Sequence, residues 1–247
     1  IDFAVGQCTA NQGDVIFVLP GHVETITAAA GLDLDIAGIS IIGLGNRSNR
    51  PVINFTTAAT ADMDVDAANI TVENFEIDLD GVDALAAPID VNAAGFTLRN
   101  CRVIMGNATN QPVLAILTDA AADQMTIEDC EFIGTADAGT TAAIRLVGCD
   151  DPHILRCVFF GGYSAAVGAI EVLTTAAIRV VIELCHINNT LAASTACITG
   201  LAATTGVIRF CTLRNQTDAS VAWIGTPGST ELYENFGVNN NGERGIA

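Results

Sequence analysis

The sequence contains no lysine, and its ten basic residues are all arginine. They stand against 28 acidic residues, which leaves a formal net charge of −18 at pH 7. A protein that binds a nucleic acid duplex or an anionic membrane presents basic residues to the phosphates, and no basic run is present here. We therefore expect neither nucleic acid nor membrane among its partners.

Aromatic residues and long apolar runs are scarce as well. Only 5% of the residues are aromatic although 50% are hydrophobic, and no run approaches the roughly 18 apolar residues of a membrane-spanning helix. A composition dominated by Ala, Val, Ile, Leu and Thr favours short strands around a narrow interior. Two tyrosines and the single Trp223 are too few to predict a groove in which sugars stack on aromatic rings.

A short phrase recurs about every 27 residues along the chain. It has two apolar residues separated by one outward residue, then two further residues, then an apolar, an outward and an apolar residue, as in Ile70-Thr-Val-Glu-Asn-Phe-Glu-Ile77. Its sixth position falls at intervals of 31, 26, 29, 27, 28, 26 and 25 residues, on Leu44, Phe75, Cys101, Cys130, Cys157, Cys185, Cys211 and Phe236. A second alternating phrase keeps the same interval at 34–36, 89–91, 115–117, 144–146, 170–172 and 221–223, and Val15–Leu19 resembles a first rung.

Alternation of period two within a fixed repeat predicts a solenoid of strands. No helical stretch is present, which disfavours helical repeats, and propeller blades need about 40 residues. We expect an all-β protein, a single-stranded right-handed parallel β-helix of about eight coils. It forms one domain over 1–247, with opening coils at 1–55, regular coils at 56–236 and a tail at 237–247.

The residue before the sixth position is predicted to turn the corner between two strands. Asn74, Asn100, Asp129 and Asn235 are of the types that tolerate the left-handed backbone of such corners. Other residue types stand at the equivalent positions of three coils, and they predict corners of a different build there: Arg156, Leu184 and Phe210.

Five of the eight cysteines share one repeat position, namely Cys101, Cys130, Cys157, Cys185 and Cys211. Stacking places their Cβ atoms about 4.8 Å apart, slightly too far for unstrained disulfides. We predict a structural ladder of buried thiols, since a linear column cannot surround a metal ion tetrahedrally. Cys8, Cys149 and Cys197 lie off this ladder, and free thiols suit assembly in a reducing cytoplasm.

Acidic residues are the main candidates for chemistry. Outward aspartates line the early coils and form either a solvated acidic face or a cation site: Asp33, Asp35, Asp62, Asp64, Asp66 and Asp90. Arg145, two coils beyond Asp90, is the only base in the same phrase. A carboxylate pair for glycoside hydrolysis could be drawn from Glu73, Glu76, Asp78, Glu128 and Glu131.

The histidines add no catalytic arrangement. His22, His153 and His186 occupy different repeat positions, and none has a serine and a carboxylate nearby in the spacing of a triad. We predict no catalytic residue, no metal and no cofactor, and hence that the chain is not an enzyme.

Small residues recur between the two phrases, as alanine doublets or triplets at 67–68, 93–94, 120–122, 176–177 and 202–203. They are read either as tight turns that admit only small side chains or as a smooth strip that packs against an identical rod.

The opening segments resemble a known family. They read Gly13-Asp-Val-Ile-Phe-Val-Leu-Pro-Gly-His22, Ile39-Ser-Ile-Ile-Gly-Leu-Gly-Asn46 and Arg50-Pro-Val-Ile-Asn-Phe55. They are similar to the opening coil of pectate-lyase-like β-helices and, more specifically, to compact β-helix proteins of tailed bacteriophages. The resemblance implies either a trimeric tailspike, often with a depolymerase site, or a short head decoration (cement) protein.

The chain departs from the tailspike pattern because it shows no attachment domain and no acid and base pair. We therefore expect a virion structural protein that binds the outside of the capsid as a homotrimer, with the major capsid protein as its partner, after assembly in the host cytoplasm. The alternatives are a phage tailspike or β-helix polysaccharide lyase or hydrolase, and a glycan-binding module without activity.

Overall fold

The structure is a computed structural model that describes residues 1–135, 139–192, 194–216 and 224–238, together with the backbone of 244–246. It confirms the predicted fold class. The described chain is a parallel β-solenoid of about eight turns with almost no helix. Each full turn contributes one strand to each of three parallel sheets.

The strands are numbered in chain order and grouped by sheet. Sheet A contains β1 (Val15–Val18), β4 (Ser40–Gly43), β7 (Thr71–Glu73), β10 (Thr97–Arg99), β13 (Thr126–Glu128), β16 (His153–Leu155), β19 (Val180–Glu183), β22 (Thr205–Arg209) and β25 (Ser229–Tyr233). Sheet B contains β2 (Val23–Ile26), β5 (Val52–Thr56), β8 (Glu76–Gly81), β11 (Arg102–Ile104), β14 (Glu131–Ile133), β17 (Val158–Gly161), β20 (His186–Asn189), β23 (Thr212–Arg214), β26 (Phe236–Val238) and the antiparallel β27 (Arg244–Ile246). Sheet C contains β3 (Leu32–Asp33), β6 (Met63–Val65), β9 (Ile89–Val91), β12 (Ile116–Thr118), β15 (Ile144–Leu146), β18 (Ile170–Val172), β21 (Ile198–Thr199) and β24 (Ile224–Gly225).

The interior stacks like residues on like. In sheet A, Val72 pairs with Leu98, which pairs with Ile127, and Ile154 follows in the next coil. All four side chains are buried. In sheet B the rings of Phe132 and Phe159 stack face to face, with centroids 4.8 Å apart and planes 9° from parallel. Alternate residues point outward, which is why the phrase is readable in the sequence.

The corners between sheets A and B all use the left-handed backbone conformation. Asn74, Asn100 and Asp129 have φ of 65°, 52° and 53°, as their residue types predict. Arg156, Leu184 and Phe210 adopt the same conformation, with φ of 52°, 56° and 56°. The prediction of a different build at these three corners is therefore wrong. The N–H of each corner residue donates to a carbonyl of the following coil, and this stacking imposes the geometry whatever the residue type.

The last coil is shifted by one residue from its predicted register. Thr212 pairs with Phe236 and Leu213 with Gly237, so Asn235 takes the interior place that was assigned to Phe236. Asn235 is buried, and its Oδ1 accepts from the Cys211 N–H (3.0 Å) while its Nδ2 donates to the Ile208 carbonyl (2.8 Å). The corner residue of this coil is Glu234, with φ of 46°, and not Asn235.

Two further register predictions are wrong within sheet C. Ile116 pairs with Ile89 and Leu117 with Asp90. The side chain of Leu117 therefore faces outward, although the predicted strand 115–117 placed the side chains of both its end residues in the interior. A uniformly apolar run carries no alternation from which to choose the face. In the first coil the strand is Leu32–Asp33, two residues before the predicted 34–36. The strand predicted at 221–223 lies outside the described residues, and β24 pairs with β21 instead.

An insertion displaces Leu44 from the interior. Residues between β4 and β5 form a loop that includes a 3-10 helix at Arg47–Asn49. The Pro51 carbonyl accepts from the Glu76 N–H, and Pro51 is buried beside Phe75 in the next coil. Leu44, predicted to point inward, is 36% exposed. The insertion also explains the long first interval of the repeat.

The first turn of the solenoid is covered by a short helix, α1 (Asp2–Val5). Val5 is buried against the core, and the Asp2 carboxylate accepts from the Asp33 N–H at 3.0 Å. Within the described part of the chain, no helix has the length and apolar character needed to cross a membrane.

Candidate functional site

The glutamates proposed as a hydrolytic pair form ion pairs between neighbouring coils. Glu73 lies 2.7 Å from the Arg99 guanidinium, and Glu128 lies 2.8 Å from that of Arg156. Arg102 lies between coils, 3.0 Å from Glu76 and 4.0 Å from Glu131. Each of these carboxylates therefore faces a guanidinium of a neighbouring coil. These glutamates therefore do not form a free acid and base pair.

Asp78 is the member of that set for which the described residues offer no arginine partner. It is half-buried in sheet B, and the pKa of its carboxyl is raised, first by burial and then by the charge of Asp80. Its Oδ1 accepts from the Asp80 N–H at 3.1 Å. The Asp78 carboxylate is thus engaged in a local turn, and burial together with the nearby Asp80 accounts for its raised pKa.

The early aspartates do come together on the outside of sheet C. Asp33, Asp64 and Asp90 pair in register on consecutive strands, which stacks three carboxylates in one column. Burial first, and then Asp66, Asp90 and Asp62, raise the pKa of Asp64 to about 6. The pKa values of Asp33, Asp62 and Asp90 are raised by burial and neighbouring carboxylates as well.

The aspartate column lacks the arrangement of a metal centre. The Asn92 side-chain amide donates to Asp64 (2.8 Å) and to Asp66 (3.2 Å). An uncharged amide therefore bridges these two carboxylates. No three His, Cys, Asp or Glu side chains among the described residues are arranged to hold a metal ion. Arg145 points away from the column, because its Nε donates to the buried Glu171 at 2.7 Å and Leu117 separates it from Asp90.

The histidines are far apart in the fold, as their repeat positions indicate. His22 lies in the turn before β2 with its Nε2 2.9 Å from Glu24. His153 stands outward in sheet A between Thr126 and Val181, and His186 is exposed in sheet B. Among the residues that the structure describes, none of the three forms a hydrogen bond with a serine or with another histidine.

The five cysteines of the predicted ladder are buried free thiols at one corner of consecutive coils. Each thiol donates to the carbonyl two residues earlier, at 3.3–3.5 Å. These contacts favour protonated thiols that fill the corner, consistent with a structural role.

The remaining three cysteines lie in separate surroundings. Cys197 is buried, its thiol donates to the Arg214 carbonyl at 3.1 Å, and burial raises its pKa to about 12. Cys149 is buried beside the Thr118 hydroxyl, and Cys8 is only partly buried at the first turn.

A groove that the sequence did not predict lies beside the inserted loop. Its volume is about 680 Å³, and it is lined by Arg47, Ser48, Arg50, Glu76, Asn100, Cys101, Arg102, Asp129 and Glu131. Arg50 reaches across two coils, and its guanidinium donates to the amide oxygens of Asn74 (2.9 Å) and Asn100 (3.0 Å). The one signal in the sequence was the 31-residue first interval, which places an insertion there without showing what it contacts.

The first coil presents apolar side chains to solvent. Val15, Phe17 and Leu19 are 45%, 61% and 67% exposed, and Leu44 on the second coil is 36% exposed. We call these four residues the first-coil patch. β1 is the outermost strand of sheet A, so one edge of its backbone has no strand partner in the described part of the chain. An apolar surface beside an open strand edge is typical of a docking site.

The comparisons with known proteins do not assign the chain to a family. No protein-family model matches the chain, and no curated protein matches it significantly. One solved structure similar to it is a rhamnogalacturonan lyase, with 13% identity, a TM-score of 0.38, and coverage of 90% of this chain and 78% of the lyase. Another is ORF18 of Geobacillus virus E2, with 12% identity, a TM-score of 0.34, and coverage of 96% of this chain and 57% of the viral one. Similarity at this level assigns neither a family nor an activity.

Proposed function

We propose that the chain is a virion structural protein, a head decoration (cement) protein that binds the outer surface of the capsid as a homotrimer. The major capsid protein is its partner. The observation that carries the proposal is the first-coil patch, an exposed apolar surface in a chain of net charge −18. An exposed apolar patch of this kind typically marks a site that a protein partner covers.

The distribution of charge supports docking at this end of the rod. The outward residues of the first two strands of sheet A are Val15, Phe17, Ser40 and Ile42, none of which is charged. Charged residues begin on the third strand with Glu73. A partner can therefore cover the outward residues of β1 and β4 without desolvating a carboxylate on these two strands, which would cost several kcal/mol.

The engaged glutamates also favour a structural role. A glycan-cleaving enzyme needs a proton donor and a base or nucleophile placed on either side of the bond. The glutamates considered for that role instead bind arginines of adjacent coils. Their arrangement holds the coils together.

Electron microscopy of virus particles tests the proposal directly. A gold-labelled antibody against this chain is expected to decorate heads, and label confined to tails or absent from particles would contradict it. In a second experiment the purified protein is sedimented with heads that lack it. Phe17→Ser with Leu19→Ser is expected to weaken the binding by about tenfold or more. Phe160→Ser, a similarly exposed phenylalanine on sheet B, is the matched control and should bind normally.

The groove favours a second candidate, a tailspike or β-helix polysaccharide lyase or hydrolase. Arg102 stands between Glu76 and Glu131 inside it, a mixed lining able to hydrogen-bond a saccharide. Incubation with acidic and neutral polysaccharides, followed by measurement of reducing ends and unsaturated uronates, tests this candidate. Turnover that disappears in Glu131→Gln would establish it and overturn the structural role.

A further inference from the structure

Large apolar side chains face solvent at one corner of the last coils, with Leu184 and Phe210 at the corner itself and Tyr233 one residue before it. Leu184, Phe210 and Tyr233 are 52%, 45% and 53% exposed, and we call these three residues the corner ridge. The Leu184 N–H donates to the Arg209 carbonyl (3.2 Å) and the Phe210 N–H to the Tyr233 carbonyl (3.0 Å), so the three residues belong to directly stacked coils. A concave surface of about 430 Å³ lies beside Phe210 and Tyr233.

The backbone at the ridge makes its apolar residues unexpected. Leu184 and Phe210 both have φ of 56°, a conformation that disfavours bulky side chains. The same corner in earlier coils is formed by Asn74, Asn100 and Asp129, which adopt it readily, and by Arg156, whose guanidinium binds acidic residues of the preceding coil. Because the two apolar side chains remain exposed, packing within the chain does not compensate for the strain. An outlier of this kind points to a role outside the chain's own fold.

The charges around the ridge have both signs. Arg209 is paired with Glu183 at 2.6 Å. Arg214 lies at the end of β23 in sheet B, four residues after Phe210, where it is exposed and has no ion-pair partner among the described residues. Glu231 and Glu234 are exposed as well, and the described part of the chain offers neither of them an ion-pair partner. A surface with an unpaired cation and unpaired anions around an apolar centre is complementary to a copy of itself.

We propose that the corner ridge is the surface through which copies of this chain associate. A chain of net charge −18 repels its copies over most of its surface. Contact at the ridge buries the three apolar side chains and brings Arg214 of one copy to the acidic residues of another. The inference deepens the proposed function. The number of three copies rests on that proposed function, and the position of the contact surface rests on the geometry of the ridge.

Sedimentation velocity of the full chain over a range of concentrations, without capsids, tests this inference. The protein is expected to self-associate, and Leu184→Asn with Phe210→Asn is expected to weaken the association by about tenfold or more. Asparagine suits a positive φ, so the melting temperature of this variant should equal or exceed that of the original chain. A loss of association is thereby separated from a loss of folding.

Two further variants complete the test. Leu173→Asn makes the same chemical change at an exposed leucine away from the ridge, and its association should be normal. Arg214→Glu alters only an exposed charge and should weaken association. A chain that is monomeric at all concentrations, or a double variant that associates normally, would overturn the inference. A monomer at all concentrations would also count against the homotrimer of the proposed function, whereas a double variant that associates normally would overturn only the position of the surface. Binding to heads is judged separately, because no capsid is present in this experiment.

Discussion

Replacing Asp64 by asparagine should stabilise the protein, and only above acidic pH. Asp64 lies in the aspartate column of sheet C between Asp33 and Asp90. Burial and neighbouring carboxylates raise its pKa to about 6, while an unfolded chain returns it to about 3.9. Between these pH values the folded protein binds more protons than the unfolded one, so the free energy of unfolding falls as pH rises.

The size of the effect follows from that difference in proton affinity. Each tenfold difference is worth about 1.4 kcal/mol, but Asp64 is half-buried and solvent screens part of the repulsion. We expect the ionised carboxylate to cost about 1 kcal/mol above pH 6. Asparagine removes the charge and retains an oxygen that accepts from the Asn92 amide, which donates to Asp64 at 2.8 Å.

Urea unfolding at pH 4, 6 and 8 measures the effect. Asp64→Asn should gain about 1 kcal/mol over the original chain at pH 8 and nothing at pH 4. Asp35→Asn, at an exposed aspartate of the same face, is the control and should gain much less. A gain that is independent of pH, or a loss of stability at pH 8, would refute the electrostatic explanation.

Three other predictions concern the interior and its thiols. Glu171→Gln should lower the free energy of unfolding by about 3 kcal/mol, because it leaves Arg145 partly buried without its counterion; an unchanged urea midpoint would contradict this. Phe159→Ala should cost about 4 kcal/mol, since it leaves a cavity against the ring of Phe132, and Phe160→Ala is the exposed control. In the native protein only Cys8 should react rapidly with a thiol reagent, because the other seven cysteines are buried; fast reaction of more than one thiol would disprove this.

Much of the fold could be predicted because the solenoid repeats one constraint. Each interior position is filled by the same class of residue, so Val72, Leu98 and Ile127 identify one column from the sequence alone. The errors occurred where that contrast fails. Ile116 and Leu117 are both apolar, and the buried Asn235 satisfies its amide through hydrogen bonds that a hydrophobicity pattern cannot show.

The candidate surfaces were harder to predict because they depend on contacts between insertions and exposed residues. The groove forms where Arg50 reaches Asn100, a pair 50 residues apart outside the repeated phrase. The corner ridge was hidden because exposure of Leu184 and Phe210 follows from the backbone of the corner, and their apolar character predicts burial. The inter-coil ion pairs had a usable signal, since Glu73 and Arg99 occupy the same repeat position.

Those ion pairs also explain how an acidic chain without lysine forms a stable rod. Stacked coils bring outward side chains within about 4.8 Å of one another, so a column of like charges is destabilising. Six of the described arginines each lie within 4.0 Å of an acidic side chain that is 26–29 residues away in sequence. A planar guanidinium can bind two acceptors at once, as Arg156 does with Glu128 and Asp129. The sides of the rod are thereby held together by charged pairs, while the first-coil patch and the corner ridge keep exposed apolar residues that these pairs do not cover.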